Sequence, residues 1–418
     1  MRILVVGSGG REHALAWKLA QEAEVYAAPG NPGIAQDVEC IPVPVSDFEG
    51  LLNACRSRLI DLVVVGPENP LVAGLADFLR SNGFSVFGPG KAGAQLEGSK
   101  AFSKECMTRA GVPTAAFATF TKPEPAKSYA AKLVDEGRLP VVKASGNAVG
   151  KGVFVCNSSQ EAGDAIDSLM TDRQFGEAGA TVVVEERLMG FEFSLLTICS
   201  GTEYWSLPVA QDYKRALDGD RGPNTGGMGS VSPVEAVRAD LVAEAERCAV
   251  KPILELLATD GIPYRGTLFS GFMVQNGTPY CLEYNVRFGD PETQTVMRRL
   301  GKGLAECLRS AATGHTPVPV QILDRAAVTV VLASGGYPGA FEKGYPIQIP
   351  TGLPSEVKLF HAGTSMKDGQ LVTSGGRVIG VSATGESIPD AAAMAYSACE
   401  AIGFQGKFFR KDIAACPV

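Results

Sequence analysis

The first hundred residues repeat a single unit: a short apolar run, a glycine turn and a segment of helix length. It recurs as Ile3 to Val6 before Gly7, Val25 to Ala28 before Pro29-Gly30, Leu62 to Val65 before Gly66-Pro67, and Val86-Phe87 before Gly88-Pro89. Runs this short and β-branched predict a parallel sheet covered by helices on both faces, with ligands approaching the carboxyl ends of the strands.

At the first of those ends, Gly7-Ser8-Gly9-Gly10-Arg11-Glu12-His13 can close a turn and expose backbone amides at the start of a helix running towards Gln21, which suits phosphate. A nicotinamide site would want glycine where Glu12 stands and a ribose-binding acid near the second strand's end, where Ala28-Pro29-Gly30-Asn31 has none. The expectation is an anion site using Gly9, Gly10, Arg11 and Glu12, with a purely structural turn as the alternative. Arg11 either pairs with the anion or faces solvent, and His13 reads equally well as a satisfied ring on a helix face. Glu68, in Gly66-Pro67-Glu68-Asn69-Pro70 at the third strand's end, either meets a substrate amine or sugar hydroxyl or sits in a rigid wet turn.

With 418 residues and roughly 100 to 200 residues per domain, two to four domains are expected, which makes a cleft available. Acidic residues outnumber basic ones, 45 to 38, and no long lysine/arginine run occurs. That balance gives no electrostatic reason to expect nucleic acid or a membrane as partner, though a local positive pocket can still hold phosphate. The 10 cysteines are scattered without a Cys-x-x-Cys pair, as for reduced thiols rather than a disulfide framework or a structural zinc site. Met1-Arg2 runs straight into the first strand and no apolar run approaches the roughly 20 residues that span a bilayer, so the expected compartment is the cytoplasm.

A helix begins near Ser99 with Lys100 and Lys104 on one face. Beyond it, Val141-Val142-Lys143 and Val153-Phe154-Val155 flank the glycine-containing stretch Ala144 to Gly152, a plausible flap whose amides can close over phosphates while Lys143 projects from its first strand. The segment is not a P-loop, because Gly150-Lys151 is followed by Gly152 instead of Ser or Thr. Lys143 is the main phosphate candidate; Lys151 is either a second one or an exposed solubilising residue. The run Val182 to Ser194 offers an extended connector to an adenine edge, with Leu188 at the base and Glu192 at the sugar. Alternatively its apolar residues fill a core and Glu185, Glu186 and Arg187 line the wet rim.

From Gln211-Asp212-Tyr213-Lys214-Arg215 to Gly222-Pro223-Asn224-Thr225-Gly226-Gly227-Met228-Gly229, dense turn chemistry with two cations and an acid suggests a substrate-binding loop. The strand Thr267 to Val274 then leads to Tyr280 to Gln294. There strand alternation puts Glu283 and Asn285 on one face, and Arg287, Asp290 and Glu292 follow. A carboxylate beside an amide oxygen suits a hard cation such as magnesium, and an arginine nearby suits a phosphoryl group. No second carboxylate occurs at Ser270 or its neighbours, so Glu283 and Asn285 must share the metal with phosphate oxygens and water. Beyond about residue 320 the pattern changes to a smaller mixed or antiparallel sheet with a helix near Asp390 to Ala401. His361 is read as buried and hydrogen-bonded, with substrate contact as the alternative.

In this order the segments resemble the phosphoribosylamine–glycine ligases of the ATP-grasp superfamily, from Val6-Gly7-Ser8-Gly9-Gly10-Arg11-Glu12-His13-Ala14-Leu15 to Phe409-Arg410-Lys411-Asp412-Ile413. The most specific motifs are Gln95-Leu96-Glu97-Gly98-Ser99-Lys100, Gly222 through Gly229, and Arg287-Phe288-Gly289-Asp290-Pro291-Glu292-Thr293-Gln294. The resemblance implies an α/β ATP-grasp enzyme in four parts: an amino-terminal doubly wound domain over 1–100, a mobile flap and linker over 101–190, a central catalytic domain over 191–320, and a small mixed-sheet domain over 321–418. It implies that Lys104, Lys143 and the flap residues Gly150, Lys151 and Gly152 hold ATP phosphates, that Glu185 and Leu188 meet adenine, and that Glu192 binds ribose. Glu283 and Asn285 would take magnesium, or manganese as the alternative ion. Arg287 would balance charge at the transferring phosphoryl group, with Asp290 near glycine. Asp212 and Lys214 complete the catalytic set, and Asn224, Thr225, Gly226 and Gly227 join the amino-terminal loop in holding 5-phosphoribosylamine.

The implied reaction phosphorylates the glycine carboxylate and lets the amine of phosphoribosylamine displace phosphate, giving glycinamide ribonucleotide, ADP and phosphate. A monomer is expected, with a homodimer as the alternative. Where the family commonly reads Lys-Ala-Asp-Gly-Leu-Ala, this chain has Ser145 and Asn147; Phe191 replaces a frequent acid and Tyr213 a common histidine. These departures bear on the acceptor and carboxylate substrates. A related ligase with another amino acid or acceptor, and a noncatalytic ATP-binding regulator, are the competing readings.

Overall fold

The computed structural model describes residues 1–146 and 152–415. Its first sheet is parallel and runs Glu39–Cys40, Glu24–Pro29, Arg2–Gly7, Leu62–Val65, Ser85–Phe87. The four longer strands each feed two cores. Leu4, Val6, Val63 and Val65 pack with Leu51, Leu75 and Leu79, whereas Ile3, Val5, Leu62 and Val64 pack with Leu15 and Leu19. The second of these faces also takes Leu304 and Leu308 from the helix Leu304–Ala312, so residues far along the chain complete the burial that an all-apolar strand demands.

The expected flap is a four-stranded antiparallel sheet ordered Phe117–Phe120, Val182–Glu186, Pro140–Ala144, Val153–Val155. Its helices Pro123–Asp135 and Ser159–Ile166 cover one face, where Val142, Ala144, Val182 and Val184 meet Ala126, Ala130, Leu133 and Ile166. Alternation then sends Lys143 and Glu185 to the opposite face, and the pairing of Val141 with Glu185 and of Lys143 with Val183 makes them diagonal neighbours.

A third antiparallel sheet, Glu203–Ser206, Phe191–Ser200, Arg265–Gln275, Thr278–Asn285, carries the expected metal residues on its last strand. The fourth sheet runs Gln211–Asp212, Gly229–Ser232, Ala326–Ala333, Arg377–Gly385, Val357–His361 and is covered by the helix Ile388–Ala401. Two of its strands come from residues before 320, so the carboxyl-terminal sheet reaches back into the expected substrate loop and fixes both its ends.

His13 and His361 lie where the first and fourth sheets meet. His13 Nε2 is 2.9 Å from Asp37, its Nδ1 accepts from the His361 amide at 2.8 Å, and Lys358 Nζ donates to Asp37 at 2.8 Å. Both rings are buried, which resolves each of them to a hydrogen-bonded residue of the interior. Among the described residues no helix is long and apolar enough to cross a membrane.

Candidate active site

The flap sheet brings two lysines to one acid. Lys104, from the helix Lys100–Arg109, places Nζ 2.7 Å from Glu185 Oε2 and donates to Thr114 at 2.6 Å; Lys143 contacts the other Glu185 oxygen. Burial opposes ionisation of Glu185, yet Lys143 and Lys104 prevail and hold its carboxyl below the ordinary value. Glu185 is therefore engaged by both cations, a partnership that its expected place at adenine did not include.

The start of that helix explains one family departure. The Ser99 side chain accepts from Phe102 N, and Ser145 receives Ala101 N on its hydroxyl at 3.0 Å and Lys100 N on its carbonyl at 2.8 Å. Ser145 thus supplies an oxygen to otherwise orphaned helix amides instead of facing a substrate. Tyr213 belongs to the carboxyl-terminal core, its hydroxyl accepting from Ala414 N at 3.0 Å under the Arg410 guanidinium, and Phe191 packs against the main core. Asn147, Gly150 and Lys151 lie outside the described residues; Gly152 pairs its carbonyl with Ala144 N at 2.8 Å.

Strand alternation puts Glu283 beside Asn285, whose Nδ2 is 3.5 Å from Glu283 Oε1, the outer limit of a hydrogen bond. Burial pushes the Glu283 carboxyl up, but Lys214, Lys143, Lys100 and Arg287 outweigh it and bring it down to about 2. An ionised carboxylate and an amide oxygen side by side are hard donors that fit magnesium. Among the described residues no cluster of three or more His, Cys, Asp or Glu side chains is gathered as for a metal.

Arg287 is held from two sides. Its Nη2 lies 2.9 Å from Glu97 and its Nε 3.6 Å from Glu68, and Glu97 also accepts from Val286 N at 2.8 Å. Glu97 is a residue that the sequence reading did not assign, although it stands inside the motif Gln95 to Lys100. Burial opposes the Arg287 charge, but Glu97 and Glu68 raise it further.

A third group surrounds the loop. Lys214 contacts Glu192 and lies 3.8 Å from Asp212. Burial pushes the Asp212 carboxyl up to about 7, with Lys214 opposing and Glu292, Glu192 and Glu283 adding to the rise. Arg377 was the other omission: its Nη2 lies 2.9 Å from Asp290 and its Nη1 donates to Gly226 O at 2.5 Å. Gln294 adds a bond to Asp290 at 2.7 Å. Gly227 sits at φ +107°, where an added Cβ would come 2.3 Å from Pro291 Cδ, so the close approach of loop and Asp290 segment requires glycine. Thr225 ties back to the Lys214 carbonyl at 2.8 Å, and Asn224 ends the strand Arg221–Asn224.

The amino-terminal turn reaches the same region differently from its expected form. Glu12 accepts from Gly9 N at 2.6 Å and from Arg11 at 2.5 Å, and Arg11 donates to Phe288 O at 3.2 Å. The chain's own carboxylate therefore occupies the Gly9 amide, and Arg11 is buried instead of facing solvent. An added Cβ on Gly10 would stand 2.8 Å from Gln294 Nε2. Leu188 is buried beside the cleft strands.

Sequence comparison matches three family models in series. The phosphoribosylglycinamide synthetase N domain covers residues 1–97, the ATP-grasp (A) domain 98–293 and the C domain 327–416. The phosphoribosylamine–glycine ligase of Rhizobium meliloti (strain 1021) is 47% identical over 99% of this chain and 98% of its own length. The crystal structure of phosphoribosylamine–glycine ligase from Thermotoga maritima matches with a TM-score of 0.87 at 39% identity, covering 99% of this chain and 100% of that one. A biotin carboxylase from Campylobacter jejuni, 16% identical with a TM-score of 0.72 over 99% of this chain and 94% of its own, shares the fold.

Proposed function

Because the chain belongs to the phosphoribosylglycinamide synthetase family, we propose that the residues gathered in its cleft carry out the family's ATP-dependent ligation of glycine to phosphoribosylamine by the roles that follow. The protein is an ATP-grasp ligase of purine biosynthesis that forms glycinamide ribonucleotide. The observation that carries the roles is the gathering of cations at buried acids, Lys104 and Lys143 on Glu185 and Arg287 on Glu97 and Glu68, with Lys214, Lys143, Lys100 and Arg287 holding Glu283 ionised against burial.

Lys104 and Lys143 exchange Glu185 for the nucleotide's phosphate oxygens, which leaves Glu185 to accept from the adenine amine while Leu188 packs the base and Glu192 takes the ribose. Glu283 and Asn285 hold magnesium, or manganese, which when bound supplies positive charge to the phosphate oxygens. Asp290, kept ionised by Arg377 against the cost of burial, accepts the glycine ammonium group, and Arg287 faces the carboxylate and the incoming phosphoryl group.

One glycine oxygen attacks the terminal phosphorus of ATP; the bond to the ADP oxygen breaks and ADP leaves. The amine nitrogen of phosphoribosylamine, held by the turn at Gly9 to Glu12 and the loop Asn224 to Gly227, then attacks the carbonyl carbon of glycyl phosphate. The carbon–nitrogen bond forms, phosphate departs with its bonding pair, and the nitrogen loses a proton to Asp212. Alignment and charge compensation supply the rate without a protein nucleophile. The sheet from Phe117 to Glu186 covers the site and keeps water from the acyl phosphate. The nine described cysteines are unpaired, which suits a reducing compartment such as the cytoplasm.

The test is a substrate panel. Phosphoribosylamine generated in situ is mixed with ATP, magnesium and either glycine or another amino acid, and products are identified by mass. Glycine-dependent glycinamide ribonucleotide is expected; robust turnover of a different amino acid with none for glycine would overturn the substrate assignment.

A further inference from the structure

A second cavity, of about 380 Å³, opens between the first helix and the segment that follows the cleft, and it is lined by Trp17, Lys18, Glu22, Arg298 and Arg325 among others. Its wall concentrates buried positive charge. Lys18 is 4% exposed and Arg298 7% exposed, and among the described residues neither makes a salt bridge. Lys18 spends its ammonium on Leu300 O at 2.7 Å and Gln21 Oε1 at 3.2 Å, and Arg298 donates to Glu356 O at 2.7 Å. Arg298 Nε and Arg325 Nε are both buried without a hydrogen-bond partner among the described residues.

The nearby acids offset this charge only in part. Glu22 is turned away to the amides of Gly303 and Ala305, at 2.9 and 3.2 Å, where the helix Leu304–Ala312 begins. Glu356 is exposed at the rim, as is Lys302, and water screens both. Burial, with Arg325 adding and Glu356 opposing, lowers the Arg298 guanidinium to about 10; burial likewise lowers Lys18, against Glu22 and with Arg325 and Arg298 adding to the fall. Three mutually repelling cations with two unused N–H donors are costly for a folded chain to keep. They are also the donor set that a tetrahedral oxyanion takes, since guanidinium N–H groups match phosphate oxygens in spacing and direction. Arg298 lies over the Trp17 ring at 5.0 Å, which fixes the guanidinium plane at the mouth of the cavity.

We propose that this cavity is a second anion site, separate from the cleft, that binds the phosphate group of a small phosphorylated molecule through Lys18, Arg298 and Arg325. Set against Glu22, those three cations leave two positive charges in excess, so a dianionic phosphate matches the cavity better than a single carboxylate.

The chain has only two tryptophans, so Trp205→Phe leaves Trp17 as the sole indole reporter beneath Arg298. Inorganic phosphate and pyrophosphate are titrated into this protein, with chloride at matched ionic strength as control, while Trp17 emission and the thermal unfolding midpoint are followed. Both anions should change the emission and raise the midpoint, and chloride should do neither. Arg298→Met, and independently Arg325→Gln, should raise the phosphate concentration for half-change by roughly tenfold, as expected for one lost charge-assisted contact. Phosphate bound in the cleft stabilises all these proteins alike, so a midpoint rise that is equal in the parent and both variants overturns the proposal. So does the absence of any phosphate-specific response in the parent.

Discussion

Lys104 Nζ lies 2.7 Å from Glu185 Oε2, with the two side chains 4% and 3% exposed, and Lys143 closes on the same carboxylate from the neighbouring strand. One buried acid thus answers two buried ammonium groups.

Glu185→Gln should therefore leave two buried lysines facing a neutral amide and lower unfolding stability by about 3 kcal/mol. Because Glu185 titrates below its ordinary value in the fold, its contribution is complete above the unfolded carboxyl value and fades as pH falls through the folded one. Thermal unfolding with and without ATP checks this: the variant should recover a larger share of its midpoint on ATP addition than the parent does. A variant with the parental midpoint in both conditions would remove the stand-in role.

Glu283→Ala removes the one ionised oxygen ligand of the proposed metal pair. The fold should persist by circular dichroism while ADP release falls roughly a hundredfold or more. Unchanged turnover with the same magnesium dependence would deny Glu283 its part.

Asp212, pushed up to about 7 by burial with Glu292, Glu192 and Glu283 adding to the effect, is the proposed proton acceptor and works only when ionised. The pH profile of kcat/KM for phosphoribosylamine should rise through about 7 and then level. Asp212→Asn should lose that inflection and drop the rate roughly a hundredfold; a variant that keeps the same rising limb would assign the titration elsewhere.

Arg377→Met strips Asp290 of its cation and frees the Gly226 carbonyl. The KM for glycine should rise roughly tenfold, with a stability loss of about 2 kcal/mol. Arg377→Lys should recover charge but not the paired contacts, giving an intermediate KM. Equal glycine kinetics in all three proteins would separate Arg377 from the substrate.

What the sequence made legible was periodic. Glu283 and Asn285 share a face because a strand alternates by two, and the amino-terminal sheet follows from apolar runs too short for helices, whereas the meeting of Lys143 with Glu185 needs the pairing of two strands. What stayed hidden depends on distance along the chain. Arg377 meets Asp290 across 87 residues and Glu97 meets Val286 across 189, and no local pattern specifies such partners. At the amino-terminal glycine turn the acid three residues after Gly9 reaches back to its amide, an internal contact that the reading of the turn as an anion site did not include. Ser145 and Tyr213, read as departures near the substrates, turn towards a helix start and a core, because the direction of a side chain depends on register that only pairing fixes.

The strand Gly229–Ser232 lies between Gln211–Asp212 and Ala326–Ala333, and every residue of Ala326–Ala333 is buried. A fragment beginning after residue 320 would bare that apolar strand along the edge that Gly229–Ser232 pairs, from Ala327 to Val330, and should self-associate. Adding back residues 1–320 as a separate polypeptide should cap the edge, so the halves are suited to complementation and not to independent expression.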